Sequence, residues 1–271
     1  MTVEEFRLFH DLIYKACGIY LKDNRQDFLE TRLKKRLQAR RIPSVYGYYK
    51  FINSGDEGRQ ELLALLDLLT INETYFFRNG PQLDLFDKRL LPDMISRRES
   101  EKQNALRIWS AGCSTGEEPH SIAMAVLDLI KYPRCWDIKI FASDLSLTVL
   151  QKAKEGIYPT SRLKEVSSER LEKYFDPCAE GYRVKPEVRQ HVVFDFHNLK
   201  HDNGLQDLDA IFCRNVMIYF DEEEQKRLIQ KFHRALRPNG YLLIGHAETL
   251  QGLSKDFRFI FHEKGTAYQK V

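Results

Sequence analysis

From about residue 100 onward, short β-rich runs alternate with helix-like stretches, and this alternation constrains the fold more than any other feature of the chain. The runs are 106–110, 138-IKIFAS-143, 192-VVFDF-196, 208-LDAIFC-213 and 240-GYLLIG-245, with helical stretches at 120–131, 146–154 and 221–236. Strands that alternate with helices imply βαβ units and a mostly parallel sheet with helices on both faces. Two last runs, 257–261 and 266–270, flank the turn 262-HEKG-265. Their hairpin-like spacing predicts that one of them runs antiparallel. The polar region 157–191, with Gly156, Pro159, Pro177, Gly181 and Pro186, breaks the alternation. It reads as an insertion holding a helix and a small β-element.

Residues 3–70 have a different texture. Phe6, Phe9, Ile13 and Tyr14 recur at helical spacing, as do Phe28, Leu29, Leu33 and Leu37, and then Leu62, Leu65, Leu66 and Leu69. Gly18, 42-IPS-44 and 53-NSGDEG-58 interrupt them. The expected organisation is an all-helical domain over 1–70 followed by an α/β domain over 71–271. Within the first, 32-RLKKRLQARR-41 holds six basic residues and no acid. Helical geometry predicts Leu29, Leu33 and Leu37 facing the core, with Arg32, Arg36 and Arg40 in the next row toward solvent. That row reads as a solvated face, a dock for an acidic helix bundle, or a nucleic-acid contact.

The totals exclude several classes. Net charge is only +3, so a basic partner surface has to be local, and a nucleic-acid protein is disfavoured. The five cysteines, Cys17, Cys113, Cys135, Cys178 and Cys213, are scattered and contain no C-x-x-C, which fits a reducing cytoplasm. MTVEEF does not read as a signal peptide, and the uninterrupted aliphatic run 122–127 is too short for a membrane span. The expectation is therefore a cytoplasmic monomer without membrane insertion. His197 and His201 have the i, i+4 spacing of helical metal ligands, but no third ligand is in view and no metal is expected. His120 reads as a helix-surface or packing residue.

The first strand runs into 111-AGCSTGEEP-119, a Gly-containing turn opening a helix near Thr115 or Gly116. This is the usual nucleotide-binding position, but the two glycines, Gly112 and Gly116, do not complete a G-x-G-x-x-G. A plain strand-to-helix turn explains the stretch equally. Glu117 and Glu118 stand at the helix N-terminus, where the dipole favours them. They would repel a pyrophosphate, which disfavours NAD and ATP, and would welcome a cation. S-adenosylmethionine carries an ammonium and a sulfonium and no phosphate. Asp144, ending the second strand, suits a ribose diol or a cap for the helix that follows.

The stretches 72-NETYFFR-78, 108-IWSAGCSTGEEPHSIAM-124, 141-FASDLS-146 and 211-IFCRNVMIYFD-221 resemble the CheR family of chemoreceptor methyltransferases, and the likeness runs from about residue 5 to 270. The resemblance implies a Rossmann-like S-adenosylmethionine-dependent methyltransferase domain with a small β-subdomain, preceded by an all-α domain. It implies methyl transfer to glutamate side chains on the cytoplasmic helices of chemoreceptors. By motif match, Asn72, Thr74 and Arg78 line the cofactor and substrate pocket. Glu117 and Asp144 hold polar parts of the cofactor, and Asn198 with Leu199 and Asn215 with Val216 complete its cradle. Arg78 and Tyr219 lie near the transferred methyl.

One run remains odd in this frame. Eight of the ten residues in 211-IFCRNVMIYF-220 are apolar or aromatic, and Arg214 and Asn215 interrupt them. A central strand ending near Cys213 places both on the rim where ligands bind. Asn215 then contacts cofactor, while Arg214 either does the same or pairs with a carboxylate. The rest of the run forms a loop wall before Asp221 caps the next helix. No base is needed for the chemistry, since a glutamate with a reference pKa of about 4.3 is already an anion at neutral pH. The competing readings are a nucleic-acid methyltransferase, against which the chain has no N/D-P-P-Y/F motif, and a non-catalytic module that senses the cofactor.

Overall fold

The computed structural model describes residues 1–70 and 72–271 and separates into two compact units, Met1–Ile71 with Ile218–Glu224, and Asn72–Met217 with Gln225–Val271. The expected boundary between 70 and 71 touches Ile71, which lies outside the described residues. Segment 218–224, expected within the α/β domain over 71–271, groups instead with the helical unit.

In the first unit four helices follow in order: α1 (Val3–Cys17), α2 (Gln26–Arg40), α3 (Val45–Ile52) and α4 (Gly55–Leu69). Thr2 and Glu5 form a reciprocal capping box at the start of α1, and Gly18 in the left-handed region ends it. The apolar faces bury Phe6, Phe9, Ile13, Leu29, Leu33, Leu65, Leu66 and Leu69. Leu37 is half-buried. Helix α4 begins at Gly55, inside the stretch expected to interrupt the helices. The segment after the FCRNVM stretch is tied to α1 and its sequel. Tyr20 N–H donates to the Tyr219 carbonyl at 2.8 Å, and the Tyr14 hydroxyl donates to Asp221 at 2.9 Å.

The arginine row departs from the solvent-facing expectation. Glu61, on α4, is fully buried and takes Arg36 through Nε at 2.7 Å and Nη2 at 2.8 Å. Arg40 Nε and the Tyr48 hydroxyl also donate to it. Arg32 stacks on Phe28, 4.1 Å from the ring centroid. Spacing alone put the three arginines on one outward row. The buried carboxylate on α4 draws both Arg36 and Arg40 to it, leaving Arg36 half-buried and Arg40 still exposed, because an unpaired buried charge is far more costly than a bent arginine. Burial alone would raise the Glu61 pKa, but the bonds from Arg36, Tyr48 and Arg40 outweigh it and hold it at about 2.

The second unit opens with helices absent from the sequence reading: α5 (Gly80–Leu85), one π-helical turn over Phe86–Leu90, and α6 (Leu91–Ser100). The alternation then follows as β1 (Ala105–Ala111), α7 (Glu117–Leu129), β2 (Asp137–Asp144) and α8 (Leu147–Glu155). The insertion comprises β3 (Ile157–Tyr158), α9 (Ser168–Tyr174), β4 (Phe175–Cys178), β5 (Gly181–Val184) and α10 (Pro186–Arg189). Its three strands form a separate antiparallel sheet in the order β3-β5-β4. The chain continues through β6 (Val192–Phe196), β7 (Leu208–Cys213), α11 (Glu222–Ala235), β8 (Leu236–Ile244), β9 (Phe257–His262) and β10 (Gly265–Lys270).

The main sheet has the order β6-β2-β1-β7-β8-β10-β9, in which β10 alone runs opposite in direction to the other strands. This is the α/β fold expected, with the antiparallel strand in the terminal pair. Every residue of β7 is buried, as a strand covered on both faces requires. Its one acid, Asp209, is met by Arg98 of α6 at 2.8 and 3.0 Å, by Arg237 at 3.3 Å and by the Arg107 N–H at 2.8 Å. Helix α6 is thus fastened to the sheet by a buried ion network, which the hydrophobic pattern does not reveal.

The Glu61 cluster carries a stability prediction. Arg36→Ala should cost about 3 kcal/mol because it leaves a buried carboxylate short of its main partner. Arg32→Ala should cost only about 1 kcal/mol, the value of a partly exposed cation–π contact. Because the Glu61 pKa is depressed, its contribution is fully present above its unfolded value of 4.5 and is lost as pH falls toward about 2. Urea denaturation of the three proteins at neutral pH and at decreasing acid pH measures both effects.

Candidate active site

The strand order reverses between β1 and β7, so the loops leaving their carboxyl ends part and open a crevice, the usual ligand position in such sheets. Ala111 and Cys213 end these two strands, Asp144 ends β2 opposite Phe196 at the end of β6, and Ile244 ends β8. Gly112, Asp144, Asn198, Leu199, Asn215 and Val216 therefore fall at or just beyond strand ends on one edge of the sheet.

Backbone strain concentrates there. Phe77, Asn79, Ser114 and Asn215 all have positive φ, at 54°, 64°, 49° and 60°. Such conformations cost non-glycine residues energy and persist where surrounding contacts over-determine them. Gly112 has φ 82°, and a Cβ on it would come within 2.5 Å of the Val216 side chain. The loop after β1 and the loop after β7 are thus in such close approach that only glycine fits.

Asp144 fastens these loops. Its two carboxylate oxygens accept the N–H groups of Ser114 at 2.8 Å and Ser146 at 2.9 Å. Helix α8 is capped by Ser146, whose side chain accepts from Val149, so the cap is Ser146 and Asp144 holds the turn before it. The Asp144 carbonyl also accepts His197 N–H at 3.0 Å, which places Asn198 and Leu199 immediately beyond it in sequence. His197 to His201 forms a turn, so its i, i+4 spacing is not helical. Among the described residues no cluster of acids, histidines and cysteines has the makings of a metal site.

Glu117 opens α7 and is only 1% exposed. It accepts the Thr115 hydroxyl at 2.6 Å, and the nearest cation, Arg162 Nε, is 3.9 Å away. Burial pushes its pKa up, against the opposing effects of Thr115, its backbone bond and Arg162. Arg162 also donates to the Thr74 carbonyl, and its own carbonyl accepts Phe76 N–H at 3.1 Å. The insertion therefore holds the 72–78 stretch by its main chain. The Asn72 carbonyl accepts the Ser114 hydroxyl at 3.4 Å.

His120 is completely buried, which corrects the surface alternative and leaves packing. Tyr158 donates to the Thr115 carbonyl at 2.7 Å, so its oxygen accepts from His120 Nδ1 at 3.1 Å, and His120 is the Nδ1–H tautomer. Burial lowers its pKa to about 3, and it stays neutral under ordinary conditions.

Arg214 proves to pair with a carboxylate. It is buried, its Nη1 lies 3.3 Å from Glu118, and its Nη2 donates to the Arg78 carbonyl. Glu118 in turn accepts the Ser110 hydroxyl of β1 at 2.7 Å. The sequence reading of Glu118 as an acid that favours the helix dipole and welcomes a cation did not name Arg214 as its partner. It had no signal for Glu248, whose carboxylate accepts the N–H groups of both Gly245 and Asn215. Tyr219 and the Arg32, Arg36 and Arg40 row belong to the helical unit.

Residues 72–266 match the family model described as the CheR methyltransferase SAM binding domain, and residues 4–70 match that of the CheR methyltransferase all-alpha domain. The chain belongs to the CheR methyltransferase family. Its curated relatives include the chemotaxis protein methyltransferase 2 of Vibrio cholerae, 36% identical over 100% of this chain and 94% of the relative. The chemotaxis protein methyltransferase of Borreliella burgdorferi is 34% identical over 96% and 93%. That of Escherichia coli is 38% identical over 93% and 86%.

As a CheR-family member, the protein uses S-adenosylmethionine, and the local chemistry fits that group. A buried carboxylate with a raised pKa and only a distant cation suits a ligand bearing positive charge. Two acids in the first turn of α7 leave no place for a pyrophosphate. S-adenosylmethionine and its demethylated product should therefore bind in titration calorimetry, and NAD should not. Glu117→Gln should weaken S-adenosylmethionine binding about tenfold, or roughly 1.4 kcal/mol. A raised Glu117 pKa means that wild-type affinity declines as pH falls, starting above the ordinary glutamate value of 4.5, and the variant should show a flatter profile.

Proposed function

We propose that this methyltransferase esterifies glutamate side chains on the cytoplasmic helices of chemoreceptors, as part of chemotaxis, acting in the cytoplasm as a monomer with no nucleic-acid partner. The observation that carries the reading is the state of Arg78. It makes no ion pair among the described residues, and its Nη1 donates to the Glu73 carbonyl at 2.7 Å. A cation without a carboxylate partner, on the strained 77–79 turn at the site, suits an incoming substrate carboxylate. The names of the full-length relatives support the same substrate setting.

When bound, S-adenosylmethionine supplies an electrophilic methyl group on a sulfonium. The residues of the chain then have modest tasks. Asn72, Thr74, Gly112, Glu117, Asp144, Asn198, Leu199, Asn215 and Val216 form its cradle. Arg78 orients the substrate carboxylate, which is already ionised. Anion and cation become two neutral groups as the reaction proceeds. The site gains most from alignment and exclusion of water, and a cluster of cations on the carboxylate would blunt it. Of the arginine row, Arg32 is the member free to meet an acidic helix, since Arg36 and Arg40 hold Glu61.

Incubation with methyl-labelled S-adenosylmethionine and receptor cytoplasmic fragments should give base-labile label on receptor glutamates. Label on nucleic acid, or none on receptors, would contradict the assignment. Arg78→Ala should reduce kcat/KM on the order of 100-fold through lost orientation, with a much smaller change in cofactor affinity.

A further inference from the structure

Arg214 is a permanent cation at the end of the most buried strand, and its three nitrogens are not used alike. Nη1 pairs with Glu118, Nη2 donates to the Arg78 carbonyl, and Nε is buried without a hydrogen-bond partner. Glu118 is itself held to β1 by the Ser110 hydroxyl. A chain of contacts thus runs from the body of the sheet through Ser110, Glu118 and Arg214 to the backbone of Arg78. That backbone needs holding, because Phe77 and Asn79 on either side are both left-handed. Phe77 N–H donates to the Ser121 hydroxyl at 3.1 Å, which fixes the turn on its other side. The two guanidinium groups also sense each other. Burial lowers the Arg214 pKa, and the positive charge of Arg78 pushes it in the same direction.

We propose that Arg214 is a positioning residue for Arg78: held against Glu118, its guanidinium fixes the Arg78 carbonyl and thereby sets where the Arg78 side chain meets the substrate carboxylate. The inference rests on Arg78 being the group that holds that carboxylate. Arginine is suited to the task because its planar fork serves an acid and a carbonyl at fixed angles, whereas lysine offers a single point of charge. A residue that only maintained the fold would impair cofactor binding, substrate binding and stability together. One that acts through Arg78 spares the cofactor and matters only while Arg78 is present.

The experiment is a double-mutant cycle on the full chain with Arg214→Lys and Arg78→Ala, measuring kcat/KM for methyl transfer to a receptor fragment and the Kd for S-adenosylhomocysteine. Arg214→Lys alone should lower kcat/KM on the order of 10- to 100-fold with a Kd within about twofold of wild type. In the Arg78→Ala background the same substitution should change kcat/KM by less than about twofold, since its route of action is already gone. A similar loss in both backgrounds, or a loss that appears equally in the cofactor Kd, overturns the proposal. Arg78→Ala without loss of activity overturns instead the reading of Arg78 on which the proposal rests. If Arg214→Lys does not fold, Glu118→Gln releases one hand of the same guanidinium, and its effect should likewise vanish in the Arg78→Ala background; an undiminished effect counts against the proposal.

Discussion

The reversal of strand order between β1 and β7 is the constraint on which the rest of the catalytic domain depends. It sends the chain to opposite sides of the sheet and leaves two adjacent carboxyl-terminal ends with their loops diverging. Those loops are held in a narrow space. Gly112 is there because no Cβ fits against Val216. Asp144 is there because two backbone N–H groups need an acceptor where the loops turn.

Buried charge is the second organising principle, and it acts in three places. Glu61 gathers Arg36, Arg40 and Tyr48 in the helical domain. Asp209 gathers Arg98 and Arg237 at the end of the sheet remote from the site. Glu118 holds Arg214 at the site itself. In each case an acid and its arginines come from different elements, so the pairing specifies how those elements pack. The net stabilisation from such a pair is small, but breaking one is costly, which favours a single arrangement. Glu117 stands apart. It is as buried as Glu61 and Asp209, yet its nearest cation among the described residues lies 3.9 Å away, a state that suits a positively charged ligand.

Much of this was legible in the sequence because it is periodic or local. Alternating strands and helices, the all-buried run 208–213 and the hairpin at the end follow from apolar patterning, and the loop after β1 is recognisable from its glycines and acids. What the sequence concealed was set by contacts distant in the chain. The arginine row on α2 has correct helical spacing, but Glu61, 25 residues beyond Arg36, decides which way it faces. Arg98 and Asp209 are 111 residues apart, and Arg214 and Glu118 are 96 apart, so no window of sequence displays either pair. Helices α5 and α6 were missed for a related reason, since a π turn between them disrupts the 3.6-residue period. Segment 218–224 is attached to the helical unit by Tyr14 and Tyr20, again through partners some 200 residues away in sequence.

The family's cofactor and the crevice at the strand carboxyl ends together imply that S-adenosylmethionine binds along that one edge of the sheet. Amide hydrogen exchange with and without saturating S-adenosylhomocysteine tests it residue by residue. Slowed exchange should concentrate in 72–79, 111–121, 143–147, 196–200 and 213–217, with little change around Arg98, Asp209 and Arg237. Protection centred on that opposite end of the sheet, or spread evenly over the chain, would contradict the account.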